Sequence, residues 1–84
     1  MSKITVYTTE PCPYCAQVKG LLRSRGLEFT EINLQKDPEG RAELARKTGM
    51  MTFPQVLVDD RLIGGFNETR AAVQDGSLDE LLAA

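Results

Sequence analysis

Two cysteines, Cys12 and Cys15, are the only ones in 84 residues; they are separated by Pro13 and Tyr14 and preceded by Thr9-Glu10-Pro11. A thiol pair at this spacing can be a cross-link, part of a metal site, or a reversible redox couple. Zinc usually takes four ligands, and a chain with no His and no third Cys would have to complete the set with carboxylates. A disulfide closing a ring of four residues constrains the unfolded chain by only about 2 kcal/mol, so a stabilising cross-link would be set wider. Two buried, inert cysteines remain open as a reading. Thiol–disulfide exchange uses the spacing best, because it needs one thiolate to attack and a second thiol within reach to answer.

The neighbours of the pair favour that chemistry. Proline has a fixed φ and no N–H, which suits the first helical position, so Pro13 at that position makes Cys12 the N-cap. Its sulfur then faces the unpaired amides of Tyr14 and Cys15. The helix dipole contributes about 0.5 to 2 kcal/mol to a thiolate there, and charge-assisted hydrogen bonds about 1.5 to 3 kcal/mol more. Glu10, two residues away, opposes a second negative charge and trims the effect. Cys15 falls on the same helical face one turn deeper, at a distance compatible with a disulfide. Cys12 is therefore the expected nucleophile, and Cys15 the thiol that resolves a mixed disulfide.

These residues need a strand before them and a helix after them, and the chain supplies both. Lys3 to Thr8 alternates, with Ile4 and Val6 on one side, as a strand does. Val18, Leu21 and Leu22 recur at helical spacing between Tyr14 and Arg25, and Gly26 stands at the stop. Leu27 to Asn33 reads as a second strand, parallel to the first. Asp37 before Pro38 is a cap followed by a first-turn proline, which starts a short polar helix ending at Gly49. Gln55 to Val58 and Leu62 to Gly64 flank Asp59-Asp60-Arg61 as an antiparallel hairpin. Asn67 is placed to cap a helix from Glu68 to about Gln74; Asp75-Gly76 interrupts it, and Leu78, Leu81 and Leu82 form a last apolar turn. The predicted order is βαβαββα, an α/β protein with a mixed sheet covered by helices.

Composition narrows the partners. The length fits one domain over residues 1–84, and charged residues at 26% with hydrophobic ones at 42% are ordinary for a folded soluble protein. A net charge of −2 offers no basic field for nucleic acid. No apolar run approaches the length of a membrane span, and no apolar signal region follows Met1, so a cytoplasmic protein is expected.

With these elements in place, the sequence resembles the glutaredoxins of the thioredoxin-fold superfamily over nearly its whole length. Cys12-Pro13-Tyr14-Cys15 after Tyr7-Thr8 is similar to their dithiol active site, Thr52-Phe53-Pro54 to their threonine-x-proline loop, and Gly64-Gly65 with Asn67-Glu68 to their glutathione-binding turn. The resemblance implies a thioredoxin fold with a four-stranded mixed sheet, and a cis Pro54. It implies glutathione as co-substrate with no tightly bound cofactor and no metal, contacted by Tyr14, Thr52, Phe53, Pro54, Gly65, Asn67 and Glu68. The Phe53 backbone would pair with its cysteinyl part; the amides near Asn67 and Glu68 suit its γ-glutamyl carboxylate, and Glu68 can meet its amino group. Disulfide-containing or glutathionylated proteins would be the clients of a monomer.

One position departs from the pattern. Many family members carry lysine three residues before the first cysteine, where this chain has Thr9. Lys36 or Arg41 can supply positive charge instead, or belong to a solvated face, and Met50-Met51 can border the groove or pack inside. Two other functions are compatible with the resemblance: an electron donor reduced by a thioredoxin reductase or another small thiol, and a dimer binding an iron–sulfur cluster through the first cysteines. Pro13 argues against the cluster, since a proline there accompanies redox activity in the family. No dinucleotide fingerprint is present, so any nucleotide cofactor belongs to a partner enzyme.

Overall fold

The structure, a computed structural model, describes residues 2–83. The alternation from Lys3 folds as β1 (Ile4–Thr8), whose inward residues Ile4, Val6 and Thr8 are buried. Helix α1 (Pro13–Ser24) buries Cys15, Val18 and Leu22, and ends at Gly26 with φ 69°, a left-handed conformation that favours glycine. Strand β2 (Thr30–Asn33) pairs parallel to β1. It is shorter than the predicted 27–33 segment because Leu27 and Phe29 pack against the core before the ladder begins.

Helix α2 (Pro38–Thr48) starts as the sequence indicates: Asp37 accepts a hydrogen bond from the Gly40 amide at 2.9 Å, Pro38 opens the first turn, and Gly49 closes the helix in the left-handed region. Strands β3 (Gln55–Val58) and β4 (Arg61–Gly64) form the hairpin, with Asp59 at φ 53° in its turn. Helix α3 (Phe66–Gln74) follows. The last apolar turn is a separate helix, α4 (Ser77–Ala83), so the order ends αα where one interrupted helix was expected.

The sheet order is β2-β1-β3-β4, with β1–β2 parallel and β1–β3 and β3–β4 antiparallel. This is the thioredoxin fold, a four-stranded mixed sheet flanked by helices, and Ile4, Val6, Val18, Leu22, Val56, Val58, Ala72 and Leu78 form its core. Complete burial of a side chain such as Leu22 or Val56 contributes about 1.5 to 3 kcal/mol each. The register puts Tyr7 opposite Gln55 and Val56 opposite Gly64. The segments after β1, before β3 and after β4 therefore meet at one end of the sheet.

Candidate active site

Cys12 is the N-cap of α1, with extended backbone (φ −148°, ψ 91°), and Pro13 occupies the first turn. Its Sγ accepts a hydrogen bond from the Cys15 amide at 3.1 Å, and its carbonyl accepts the Ala16 amide at 3.3 Å. Of the two amides expected at the sulfur, that of Cys15 makes the bond. The two cysteines are joined by a disulfide with a Cα–Cα distance of 5.2 Å. Cys15 is 3% exposed whereas Cys12 is only partly covered. Of the two cysteines, Cys12 is therefore the one open to an external molecule.

A groove of 340 Å³ lies beside this pair, lined by Tyr14, Met50, Thr52, Phe53, Pro54, Gly65, Phe66, Asn67 and Glu68. It brings together every residue that the sequence marked for glutathione. The Phe53–Pro54 peptide is cis, as the resemblance implied; Glu10–Pro11 is also cis, which no feature of the sequence had indicated. Tyr14, 57% exposed, closes one side with its ring 6.0 Å from that of Phe66. Phe66 had not been marked, although it is the one large apolar side chain between Gly65 and Asn67. Met50 lines the groove, and Met51, 84% exposed, does not pack inside.

The helix beyond the groove starts earlier than predicted. Gly65, not Asn67, is the N-cap of α3; Asn67 sits exposed in the first turn. Glu68 decides the position, because its carboxylate accepts the Gly65 amide at 2.8 Å, the reciprocal half of a capping box. The amides of Phe66, Asn67 and Glu68 are thereby the ones without an intrahelical acceptor, and they edge the groove. Gly64 has φ 134°, and a Cβ there would lie 2.7 Å from the Glu68 Cβ. A side chain at Gly65 would approach the Pro54 carbonyl oxygen at 3.5 Å. Gly64 thus lets the chain fold back tightly over the Glu68 side chain, while Gly65 stands at ordinary contact distance from the Pro54 loop.

Gln55, unmarked by the sequence reading, holds that loop from beneath. It is 1% exposed; its Nε2 donates to the carbonyls of Met50 and Thr52, both at 3.1 Å, and its Oε1 accepts from the Thr48 hydroxyl at 2.9 Å. The available signal was a polar residue opening an otherwise apolar strand, Gln-Val-Leu-Val.

On the opposite flank, Glu10 Oε1 accepts from Asn33 Nδ2 at 3.0 Å and the Glu10 amide donates to Gln35 Oε1 at 3.1 Å. Arg41 is not presented to a ligand: its guanidinium donates to the carbonyls of Leu34 at 2.6 Å and Gln35 at 2.8 Å. Lys36 is exposed. Below, Glu31 Oε2 receives both the buried Thr8 hydroxyl at 2.8 Å and Lys19 Nζ at 3.0 Å. The hydrogen bonds from Lys19 and then Thr8 hold the Glu31 carboxyl below its ordinary value, and they tie α1 and β1 to β2.

Comparison with known proteins gives consistent likenesses. The family model described as Glutaredoxin matches residues 4–63. The chain is 44% identical to a glutaredoxin of Pseudomonas aeruginosa over 84 residues, covering all of both chains. It is 38% identical to glutaredoxin 3 of Escherichia coli over 82 residues, covering 98% of this chain and 99% of that one. Among solved structures, a buckwheat glutaredoxin–glutathione complex superposes with a TM-score of 0.86 at 29% identity, covering 98% of this chain and 77% of that one. The solution structure of glutaredoxin from Brucella melitensis gives 0.82 at 41% identity, covering 95% and 87%.

Proposed function

This chain belongs to the glutaredoxin family and is a thiol-disulfide oxidoreductase, and from that premise we propose that glutathione is its reductant and that its clients are protein disulfides and glutathione mixed disulfides. The observation that carries the choice of glutathione is the groove beside Cys12, with the Phe53–Pro54 backbone on one wall and the α3 amides of Phe66 to Glu68 on the other. Unpaired helix N-terminal amides suit a carboxylate, and the Glu68 carboxylate beside them suits an ammonium group. A γ-glutamyl group carries both. That the buckwheat relative is a glutathione complex supports the same reading.

In the proposed cycle the Cys12 thiolate attacks one sulfur of the client disulfide. The client S–S bond breaks, a Cys12–client disulfide forms, and the other client sulfur leaves as a thiolate that takes a proton. Cys15, having lost its proton, attacks the Cys12 sulfur; the client leaves as a thiol and the Cys12–Cys15 disulfide remains. Two glutathione molecules then reduce that disulfide and leave as glutathione disulfide. With a glutathionylated client, Cys12 attacks the glutathione sulfur, the client thiol leaves, and a second glutathione releases glutathione disulfide from Cys12. Each step uses one chain and a reducing pool, so we take the protein to act as a cytoplasmic monomer.

With Thr9 where many family members carry lysine, and Arg41 occupied by carbonyls, Lys36 is the remaining one of the two candidate cations for the glycyl end of glutathione. The test follows from this. Turnover with glutathione, its reductase and the nucleotide cofactor of that reductase is compared with turnover supported by a thioredoxin reductase. Glutathione-dependent turnover is expected to dominate; faster reduction by thioredoxin reductase would transfer the reductant role and sink the reading.

A further inference from the structure

The segments that meet at the end of the sheet beside Cys12, residues 9–15, 50–54 and 64–68, contain two carboxylates, Glu10 and Glu68, and no lysine or arginine. The two are on different flanks. In the sheet order β2-β1-β3-β4, the Phe53–Pro54 wall leads into β3 on one side of β1, while Asn33 ends β2 on the other. Glu68 lines the groove, and Glu10 is bonded toward β2.

Glu10 is also held. Its carboxylate is bonded to Asn33 Nδ2 at 3.0 Å and its amide to Gln35 Oε1 at 3.1 Å; Asn33 Oδ1 in turn accepts the Gln35 amide at 2.9 Å. Arg41 fixes the same turn through the Leu34 and Gln35 carbonyls. The carboxylate is exposed and makes no ion pair among the described residues. Of the two cations that follow β2, Arg41 is engaged with those carbonyls and Lys36 is exposed.

A mixed disulfide has two halves, and the groove accommodates one. Resting on the reading that this half is glutathione, the client half stays outside the groove, its sulfur in line with Cys12 beyond the glutathione sulfur, and Glu10, two residues from Cys12 and bonded toward β2, is the exposed carboxylate outside the groove that its flanking residues can meet. From this we infer that Glu10 is a specificity residue for the client, favouring cysteines set in basic segments over cysteines flanked by acidic residues. The fixed charge attracts lysine or arginine beside the client sulfur and repels aspartate or glutamate, an interaction that weakens as salt rises. Attack is the step already described: the client–glutathione S–S bond breaks, the Cys12–glutathione bond forms, and the client thiolate takes a proton. A cationic neighbour also stabilises that leaving thiolate.

Three synthetic peptides identical except for Lys, Ser or Glu on both sides of one cysteine, each as its glutathione mixed disulfide, measure this through kcat/KM. The Lys-flanked peptide is expected to exceed the Glu-flanked one by about fivefold at low salt, with the ratio falling at 0.5 M salt by about half or more. Glu10→Gln brings the low-salt ratio below about two, whereas Glu28→Gln, an equal change of charge at an exposed position ahead of β2, leaves it at the wild-type value. The same peptides as mixed disulfides with 2-mercaptoethanol read the flank preference without glutathione. Failure of all glutathione forms alongside a kept preference in that series overturns the glutathione reading and supports the role of Glu10. Equal rates for Lys- and Glu-flanked peptides, or a preference unchanged in Glu10→Gln, overturns the role of Glu10.

Discussion

The side-chain amide of Gln55 donates to the Thr52 carbonyl at 3.1 Å, so the first residue of β3 fixes the loop that forms a wall of the groove. The same amide donates to Met50 at 3.1 Å, and its oxygen takes the Thr48 hydroxyl. A single buried group thus couples the end of α2, the Met50–Thr52 loop and the sheet.

Replacing Gln55 with leucine keeps the volume close but strands the Met50 and Thr52 carbonyls. Urea unfolding is expected to show a loss of about 2 to 4 kcal/mol. At a temperature where the variant is folded, KM for glutathione should rise several-fold while the thiolate absorbance of reduced Cys12 stays at its wild-type midpoint. A shifted midpoint with unchanged KM would contradict this division between groove and nucleophile.

The two cysteines should separate by activity. Cys12→Ser is expected to lose at least about 10³-fold in all disulfide reduction, because a hydroxyl at the helix N-terminus is not ionised at neutral pH. Cys15→Ser should lose reduction of protein disulfides yet keep removal of glutathione from a glutathionylated peptide. Parallel assays of both reactions check it.

Gly64→Ala places a Cβ 2.7 Å from the Glu68 Cβ at a backbone φ of 134°. Backbone strain alone is expected to cost about 1 to 3 kcal/mol. Thermal unfolding should register the loss. Because relief requires Glu68 to move off the Gly65 amide, glutathione binding by calorimetry should weaken as well.

Glu31 supplies a pH-dependent part of stability. Its carboxyl is held below the ordinary value by Lys19 and Thr8, so the contribution is complete above the unfolded-state value and disappears as pH falls through the lower folded-state value. The pair with Lys19 is partly exposed, so the contribution is about 1 kcal/mol or less. Urea midpoints of wild type and Glu31→Gln should differ at pH 7 and converge toward pH 3; a constant difference would assign the effect to something other than this charge.

Much of the fold was legible because its signals act within one or two turns. Pro13 after Cys12, Asp37 before Pro38, and glycines at 26 and 49 mark helix ends through backbone geometry alone, and the structure has them in those roles. The start of α3 was less legible. Asn67 is the stronger capping residue by type, but the Glu68 carboxylate on the Gly65 amide sets the helix two residues earlier. Strand β2 was overextended because alternation at Leu27 and Phe29 reports burial without reporting a ladder partner.

The sequence by itself determined the local frame of the pair: two thiols one turn apart at a proline-started helix follow from covalent and helical geometry, whereas the burial of Cys15 behind Cys12 comes from packing. Only the tertiary structure decided what surrounds them. The sheet order β2-β1-β3-β4 brings Pro54 and Gly65 beside Cys12 on one flank and Asn33 beside Glu10 on the other. Strand pairing joins residues tens of positions apart, and the buried Gln55 amide and the occupied Arg41 guanidinium acquire their roles only when those carbonyls arrive.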